Sequence, residues 1–265
     1  MDPFLKLSSP TTDEFWKIPI LFEDSDLFAL SKPSRLLVSP DRYDPERPNL
    51  MKLLHSAIAR PAPWARDRGL SYLANAHRLD FETTGVLLLA RNKPALIRLA
   101  DMFGCEKPRK RYVALVHGSP PEETLETDAK LGQHPTRPGF VRVDPKKGKR
   151  ARTTFRVLER FDLYTLMECS PETGRTHQIR VHLQSLGYPI VGDSTYQGGP
   201  LLLSSLKSSY RLKPGAIERA LLDRVALHAE ELTLPHPTTE LPVTIQAPWP
   251  KDFVVAVKYL RLFRK

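Results

Sequence analysis

The sequence predicts an α+β fold with a mainly antiparallel sheet, and three features support this class. Apolar and β-branched runs occur in groups along the chain instead of alternating one by one with helical segments. Several of these runs are joined by short polar turns, as the strands of hairpins are. The 265 residues are 41% hydrophobic and 26% charged, which is typical of a globular protein with a full core.

The N-terminal part is predicted to contain two strands and a helix. Residues 1–19 are rich in Pro, Ser and Thr without clear periodicity, so an irregular segment is expected there. Residues 20–33 predict two short strands around an Asp/Ser turn, and Pro33 ends the second because it lacks an N–H group. After a Pro-rich loop at 39–48, Asn49 is predicted to cap a helix. The apolar residues of this helix, at helical spacing, are Leu50, Leu53, Leu54, Ala57 and Ile58.

The stretch 77–91 carries one early carboxylate, Asp80, shortly before the apolar segment 85–90. That segment is too short to span a membrane and indicates a buried strand. Asp80 is therefore expected at the mouth of a buried strand, where a reactive group can be held.

The next part of the chain predicts a helix followed by a central strand. The helix is expected over 95–103, with Pro94 near its start and Gly104 at its end. A basic run at 107–111 then meets an apolar, β-branched strand that Tyr112 begins.

A loop, a basic cluster and a hairpin are predicted after this strand. Residues 119–128 are acidic and contain prolines, so a solvated loop is expected there. Residues 146–152 form a second basic cluster. Residues 153–157 and 163–169 alternate in polarity as the strands of a hairpin do.

A helix is predicted over 179–186, with Gly187 as its C-cap. Its buried stripe consists of Ile179, Leu183 and Leu186, and Arg180 lies off that stripe.

The C-terminal part predicts a strand pair and a final helix. The strands are expected over 225–234 and 243–247, around a Pro-rich loop. Pro250 begins an amphipathic helix with most of its apolar residues on one side. These residues are Phe253, Val254, Val257, Leu260 and Leu262.

Three residues of different chemistry could meet at one site: Asp80 near a strand end, Tyr112 at a strand start and Arg180 on a helix. An arginine nearby would keep the carboxylate ionised and oriented, so that it could act as a nucleophile or a base. Spacing leaves structural roles open as well. Asp80 could close an Asx-type turn, Tyr112 could be a half-buried strand aromatic, and Arg180 could be a solvated helix residue.

Several other kinds of site are not indicated. Cys105 and Cys169 form no C-x-x-C pair, and His177 and His182 are five residues apart without the H-E-x-x-H spacing of zinc sites. No metal is therefore expected. The sequence also has no G-x-S-x-G elbow, P-loop or G-x-G-x-x-G fingerprint, which removes the usual signals of serine hydrolases, NTPases and dinucleotide enzymes.

The charge of the chain favours a polyanionic partner. Lys and Arg number 40 against 30 Asp and Glu, which gives a net charge of +10, and basic side chains gain affinity for phosphates through counterion release. No secretory signal or membrane-spanning run is found, and the two separate cysteines fit a reducing cytoplasm. A cytoplasmic monomer without a membrane partner is expected.

Five stretches of the chain form an ordered set of motifs. Residues 77–80 read H-R-L-D and lead into T-T-G-V-L-L-L-A, residues 110–118 read K-R-Y-V-A-L-V-H-G, and residues 173–183 read T-G-R-T-H-Q-I-R-V-H-L. Together with residues 21–33 and 227–237, they resemble the motifs of the RluA family of pseudouridine synthases.

This resemblance implies a fold and an activity. The fold is a mixed, mainly antiparallel sheet flanked by helices and loops around a central RNA-binding cleft, here as one catalytic domain over 20–265. The separate S4-like RNA-binding module of some relatives is not expected in this chain. The activity is isomerisation of uridine to pseudouridine in ribosomal or transfer RNA, without a cofactor or metal.

The resemblance also implies roles for single residues. Asp80 matches the catalytic nucleophile, Tyr112 the active-site tyrosine that stacks on the flipped base, and Arg180 the arginine that pairs with the aspartate. Arg78 matches a residue that enters the RNA stack and holds the extruded position open. Further RNA-binding candidates are His77, Lys110, Arg111, Arg175 and His177, with the runs 107–111 and 146–152 open to a purely solvated role.

Two other classes of protein are weighed against this one. A catalytically silent RNA-binding protein would keep the basic surface but lose the aspartate or its partners. A metal-dependent nuclease would need clustered carboxylates or histidines, which the sequence does not indicate.

Overall fold

The structure is a computed structural model that describes residues 2–41, 44–213 and 215–263. The predicted loop 39–48 and the predicted domain 20–265 each include residues outside this description. The helices are α1 Leu50–Ala59, α2 Pro63–Arg66, α3 Lys93–Gly104, α4 Gln178–Ser185, α5 Leu203–Leu206 and α6 Lys251–Leu262. The strands are β1 Phe4–Ser8, β2 Phe15–Glu23, β3 Leu27–Lys32, β4 Ala74–Asn75, β5 Thr84–Ala90, β6 Arg109–His117, β7 Thr124–Thr127, β8 Leu131–Gln133, β9 Val141–Val143, β10 Thr153–Arg160, β11 Tyr164–Pro171, β12 Leu227–Pro235 and β13 Pro242–Gln246.

The chain forms two compact units. The first comprises Met1–Lys110 and Ala229–Pro248, and the second comprises Arg111–His228 and Trp249–Lys265. In the first unit the pairs β1–β2, β2–β3, β3–β5, β4–β5 and β12–β13 are antiparallel, and a short parallel bridge joins Leu37 to Asn49. In the second unit the pairs β6–β11, β7–β10, β8–β9 and β10–β11 are antiparallel. The predicted α+β class with a mainly antiparallel sheet is confirmed. No helix in the described ranges is both long and apolar enough to cross a lipid bilayer.

The sheet of the first unit runs in the order β1-β2-β3-β5-β12, with β4 on β5 and β13 on β12. The prediction of an irregular segment at 1–19 is wrong, because β1 and the start of β2 form an antiparallel pair there. In β1, Leu5 and Leu7 are buried while Lys6 between them is exposed. This period of two is the strand signal, and the Pro- and Thr-rich segment 9–12 is only the connection between the strands.

Strand β5 is buried along its whole length. Leu87 and Leu89 pack in one apolar cluster with residues of α1 and α2, whereas Val86 and Leu88 pack in another with residues of α3 and β13. A strand covered on both faces reads as an uninterrupted apolar run, which explains the segment 85–90. Asp80 therefore lies four residues before the start of a fully buried strand, as predicted.

Gly85 shows how tightly β5 is packed. Its φ is +115°, in the region that favours glycine, and a Cβ on it would overlap the carbonyl oxygen of Ala229. We expect Gly85→Ala to lower the free energy of unfolding by about 3 kcal/mol or more, since backbone strain and overpacking each cost about 1–3 kcal/mol. Urea unfolding measures this difference.

The control for this variant is Gly69→Ala in the same unit. Gly69 also has a positive φ, +59°, but nothing lies within 4 Å of an added Cβ. Only backbone strain of about 1–2 kcal/mol is expected there. Equal losses in the two variants would contradict the proposed overlap with Ala229.

The second unit contains the sheet order β6-β11-β10-β7 and a separate hairpin, β8–β9. The predicted hairpin is confirmed as β10 and β11, which pair from Thr153 opposite Pro171. Two expectations need correction. The acidic segment 119–128 contains strand β7, paired with β10, and Tyr112 is the fourth residue of β6, because the basic run continues the strand toward the N-terminus.

The predicted helices are present. Asn49 caps α1 by accepting a hydrogen bond from the Lys52 amide (2.9 Å), α3 ends at Gly104, and Pro250 precedes α6. On α6 the apolar side is narrower than predicted, since Val254 and Leu262 are exposed.

Helix α4 is buried nearly all round. Besides Ile179 and Leu183, its residues Arg180 and His182 are buried. The alternative in which Arg180 is a solvated helix residue is therefore wrong, because this polar side chain has buried partners of its own.

Candidate active site

The turn that carries Asp80 is held by a buried lysine. Lys32 is 1% exposed, and its Nζ donates to the carbonyl oxygens of Pro33 (2.7 Å), Phe81 (3.2 Å) and Thr83 (2.9 Å). Two of these acceptors follow Asp80 in the chain. A buried ammonium is tolerated when its hydrogen bonds are satisfied, and here those bonds fix the backbone that follows Asp80.

Phe81, the residue after Asp80, is fixed by two further contacts. Its carbonyl oxygen also accepts a hydrogen bond from the Arg35 amide (2.8 Å), and the Arg47 guanidinium lies over its ring, 4.0 Å from the centroid. Asp80 itself is half-buried, and Arg78 on the other side of Leu79 is exposed. The turn thus has a fixed backbone and one residue directed to solvent.

His77 closes the same turn on its N-terminal side. Its Nε2 accepts a hydrogen bond from the Leu88 amide (2.9 Å), and its ring stacks on Phe103 with centroids 4.8 Å apart. Burial, with a smaller effect of the Lys110 charge, lowers the pKa of His77 from 6.5 to about 4. An RNA contact of His77, which stays a prediction, would have to use Nδ1.

The neutral form of His77 should contribute to stability in a defined pH window. Because its folded pKa lies below the unfolded value, the contribution is complete above about pH 6.5 and is lost as the pH falls through about 4. We expect wild type to lose about 2–3 kcal/mol more than His77→Gln between pH 7 and pH 4, since glutamine can accept from Leu88 but does not titrate. Urea unfolding at several pH values measures this, and a difference that does not change with pH would contradict it.

Tyr112 lies on β6, opposite Cys169 of β11. It is half-buried and packs against the main core of the second unit. This environment suits a ring with an apolar body and a polar end. It is also the environment of an ordinary strand aromatic, so its catalytic role stays a prediction.

Arg180 forms a buried ion pair with Asp193. Its Nε and Nη2 donate to Oδ2 (2.7 Å) and Oδ1 (2.8 Å) of this carboxylate, and the side chains are 8% and 1% exposed. A bidentate pair of this kind fixes the plane of the guanidinium as well as its position. Asp193 lies in the stretch after Gly192, and the sequence prediction assigned it no role.

Tyr196 supports the same arginine from its ring face. The guanidinium carbon of Arg180 is 4.9 Å from the Tyr196 ring centroid. The Tyr196 hydroxyl accepts from the Val141 amide (3.1 Å) and lies 2.8 Å from Nδ1 of His177. His177 precedes α4 with φ of +54°. The predicted residues Arg180 and His177 are thus brought together through Tyr196, which the sequence prediction did not single out.

The remaining predicted residues occupy different settings. Arg175 lies in the loop before α4, and its Nε donates to the carbonyl of Arg150 (2.8 Å). Lys110 and Arg111 are half-buried within β6. Asp80 belongs to the first unit, and Tyr112 and Arg180 belong to the second. Their convergence on one site stays a prediction, as does the central cleft.

One group with metal-ligand chemistry occurs among the described residues: Asp24, Asp26 and His236. The histidine of this group lies far from the two aspartates in the sequence, which is why the spacing of motifs did not indicate the group. His236 Nδ1 accepts from the Thr238 and Thr239 amides, so its Nε2 carries the proton and donates to Asp24 (3.1 Å). These hydrogen bonds give the group a structural role, because they join the turn at Asp24 to the turn at His236.

Known proteins are similar to this chain in sequence and in fold. The family model described as RNA pseudouridylate synthase matches residues 26–185. Ribosomal large subunit pseudouridine synthase D of Nitrosomonas europaea is 37% identical over 250 residues, which cover 92% of this chain and 65% of that protein. The protein of the same name from Xylella fastidiosa is 34% identical over 252 residues, covering 92% and 70%.

A solved structure is similar as well. That of human RNA Pseudouridylate Synthase Domain Containing 4 has a TM-score of 0.67 and 25% sequence identity, and covers 91% of this chain and 92% of that one. The chain belongs to the RNA pseudouridylate synthase family, whose named members are isomerases. The resemblance to the RluA family is confirmed. The chain spans about two thirds of the length of these two curated relatives.

Proposed function

We propose that this protein isomerises uridine to pseudouridine within RNA, with Asp80 as the nucleophile. The observation that carries the proposal is the setting of Asp80: a turn braced by the buried Lys32 ammonium, shortly before a strand buried on both faces. A carboxylate on a backbone fixed in this way needs little reorganisation to react. Membership in the family supports the reaction class.

The proposed reaction is balanced without an external reactant. The N1–C1′ bond of uridine breaks, the uracil turns, and a C5–C1′ bond forms; C5 loses its proton and N1 gains one. No atom is gained and no net electron is transferred, so no redox cofactor is needed. Asp80 would stabilise the state in which uracil and ribose are separated, either by covalent attachment or by assisting glycal formation.

Tyr112 and Arg180 are proposed to complete the site. Tyr112 would stack on the displaced base and could act as the base toward the sugar. Arg180 would pair with Asp80 and keep its carboxylate ionised and aimed. The support for this role is that Arg180 is held on two sides, by the Asp193 carboxylate and by the Tyr196 ring.

The target uridine has to leave its stack before it can react. The glycosidic bond and C5 cannot exchange places inside a stacked strand, and extrusion of a base costs a few kcal/mol. Arg78 is exposed two residues before Asp80. We propose that it enters the stack and fills the position of the extruded base.

RNA is the proposed partner, in ribosomal or transfer form. The net charge of +10 favours phosphate binding, and the proposed contacts are His77, Lys110, Arg111, Arg175 and His177. Because both curated relatives are named for the large ribosomal subunit, its RNA is the first substrate to test.

The test is incubation of the purified protein with total RNA from a strain that lacks its gene, without added metal or cofactor. Pseudouridines are then mapped with carbodiimide. We expect new sites with wild type and none with Asp80→Ala, and unchanged activity in the presence of a chelator. Binding without modification would instead favour the silent RNA-binding protein, and chelator-sensitive strand cleavage would favour the nuclease.

A further inference from the structure

The second unit contains a basic cleft of about 460 Å³. Its walls come from the β8–β9 hairpin, the turn after β9 and the loop before α4. The charged residues that line it are Lys147, Lys149 and Arg175, accompanied by Gln133 and the backbone at Gly132 and Gly174. Ligand clefts in proteins typically enclose about 300–1,000 Å³, so this one has room for part of a polymer strand.

The two lysines stand on an ordered backbone. Lys149 and Leu131 exchange both backbone hydrogen bonds (2.9 and 2.8 Å), which adds the segment to the edge of β8. Asp144 Oδ1 accepts hydrogen bonds from the amides of Lys146 (3.2 Å) and Lys147 (2.9 Å) and so closes the turn that precedes Lys149. The lysine side chains are exposed, but the points from which they start are fixed.

Arg175 is tied to the same wall. Its Nε donates to the carbonyl of Arg150 (2.8 Å), next to Lys149. Its amide donates to Oε1 of the buried Gln178 (3.0 Å). Arg175, on the α4 side of the cleft, is therefore connected to the segment that carries Lys147 and Lys149.

The basic cluster 146–152 divides into residues with and without acidic partners. Arg152 at its end lies close to Glu126 (3.1 Å) and Glu172 (3.4 Å). Neither Lys147 nor Lys149 forms an ion pair with a carboxylate in the described part of the chain. The positive charge of these two lysines is thus left for an anionic ligand.

We propose that this cleft binds backbone phosphates of the RNA, independently of base sequence. The inference rests on the proposed function for the identity of the polyanion. Exposed ammonium groups suit phosphates, whereas specific reading of bases needs fixed donors and acceptors at base edges. The cleft would add affinity and would not take part in the isomerisation.

The experiment measures binding of a short fluorescein-labelled oligouridylate by anisotropy at several salt concentrations. Lys147→Ala/Lys149→Ala should bind about tenfold more weakly than wild type at low salt. Its slope of log affinity against log salt should fall by about 1.4, since each single-strand phosphate contact contributes about 0.7. The conservative variant Lys147→Arg/Lys149→Arg should keep both values.

The matched control is Lys207→Ala/Lys213→Ala, which removes the same charge from exposed lysines of the same unit that do not line the cleft. We expect the control to bind nearly as wild type does. Equal losses in both double variants, or an unchanged salt slope in the cleft variant, would overturn the inference. Because binding is measured without turnover, a failure here is distinguishable from a protein that makes no pseudouridine.

Discussion

Asp80→Asn should abolish pseudouridine formation and leave RNA affinity nearly unchanged. The amide is close in size to the carboxylate but cannot act as the nucleophile, so turnover should fall by at least about 10⁴-fold. Affinity should change little because phosphate contacts supply most of the binding free energy. Carbodiimide mapping measures the first quantity, and anisotropy with labelled RNA measures the second.

The control for this prediction is Asp101→Asn, which makes the same chemical change at an exposed position of α3 in the same unit. It should retain full turnover. If Asp80→Asn kept more than about a hundredth of wild-type turnover, Asp80 would not be the nucleophile. If both variants lost activity equally, the loss would not be specific to Asp80.

The elements near Asp80 could be predicted because their signals are local. The apolar run at 85–90 and the capping residue Asn49 each specify structure within a few residues, and both predictions are confirmed. The strand Phe4–Ser8 and the first five residues of the strand Phe15–Glu23 were missed, although Leu5 and Leu7 alternate with polar residues. The Pro, Ser and Thr residues that suggested irregular structure belong mainly to the turn between them.

The partners of the candidate site residues could not be predicted in the same way. Lys32 reaches the carbonyl of Thr83 across 51 positions of the chain, and the periodicity of a strand does not indicate such a contact. The Arg180–Asp193 pair spans 13 residues and joins a helix to a turn. The sequence did offer one signal for such a partner: Arg180 is a charged residue among apolar ones, and buried charges require partners.

Asp193 is the residue for which we expect the second large effect. Asp193→Ala would leave the buried Arg180 guanidinium without its bidentate partner, and removing one member of a buried pair costs about 3–5 kcal/mol. Turnover should fall by about 100-fold at temperatures where the variant is folded, because Arg180 is no longer fixed. RNA affinity should fall much less. Urea unfolding, single-turnover kinetics and anisotropy measure the three quantities.

A double variant separates the positioning of Arg180 from the stability of the fold. Arg180→Met combined with Asp193→Leu replaces the ion pair by apolar side chains, a change that is often neutral for stability. We expect the double variant to recover most of the free energy of unfolding that Asp193→Ala loses, yet to remain inactive because the arginine is absent. If the double variant recovered turnover together with stability, Arg180 would have only a structural role, and Asp193 would serve the fold and not the reaction.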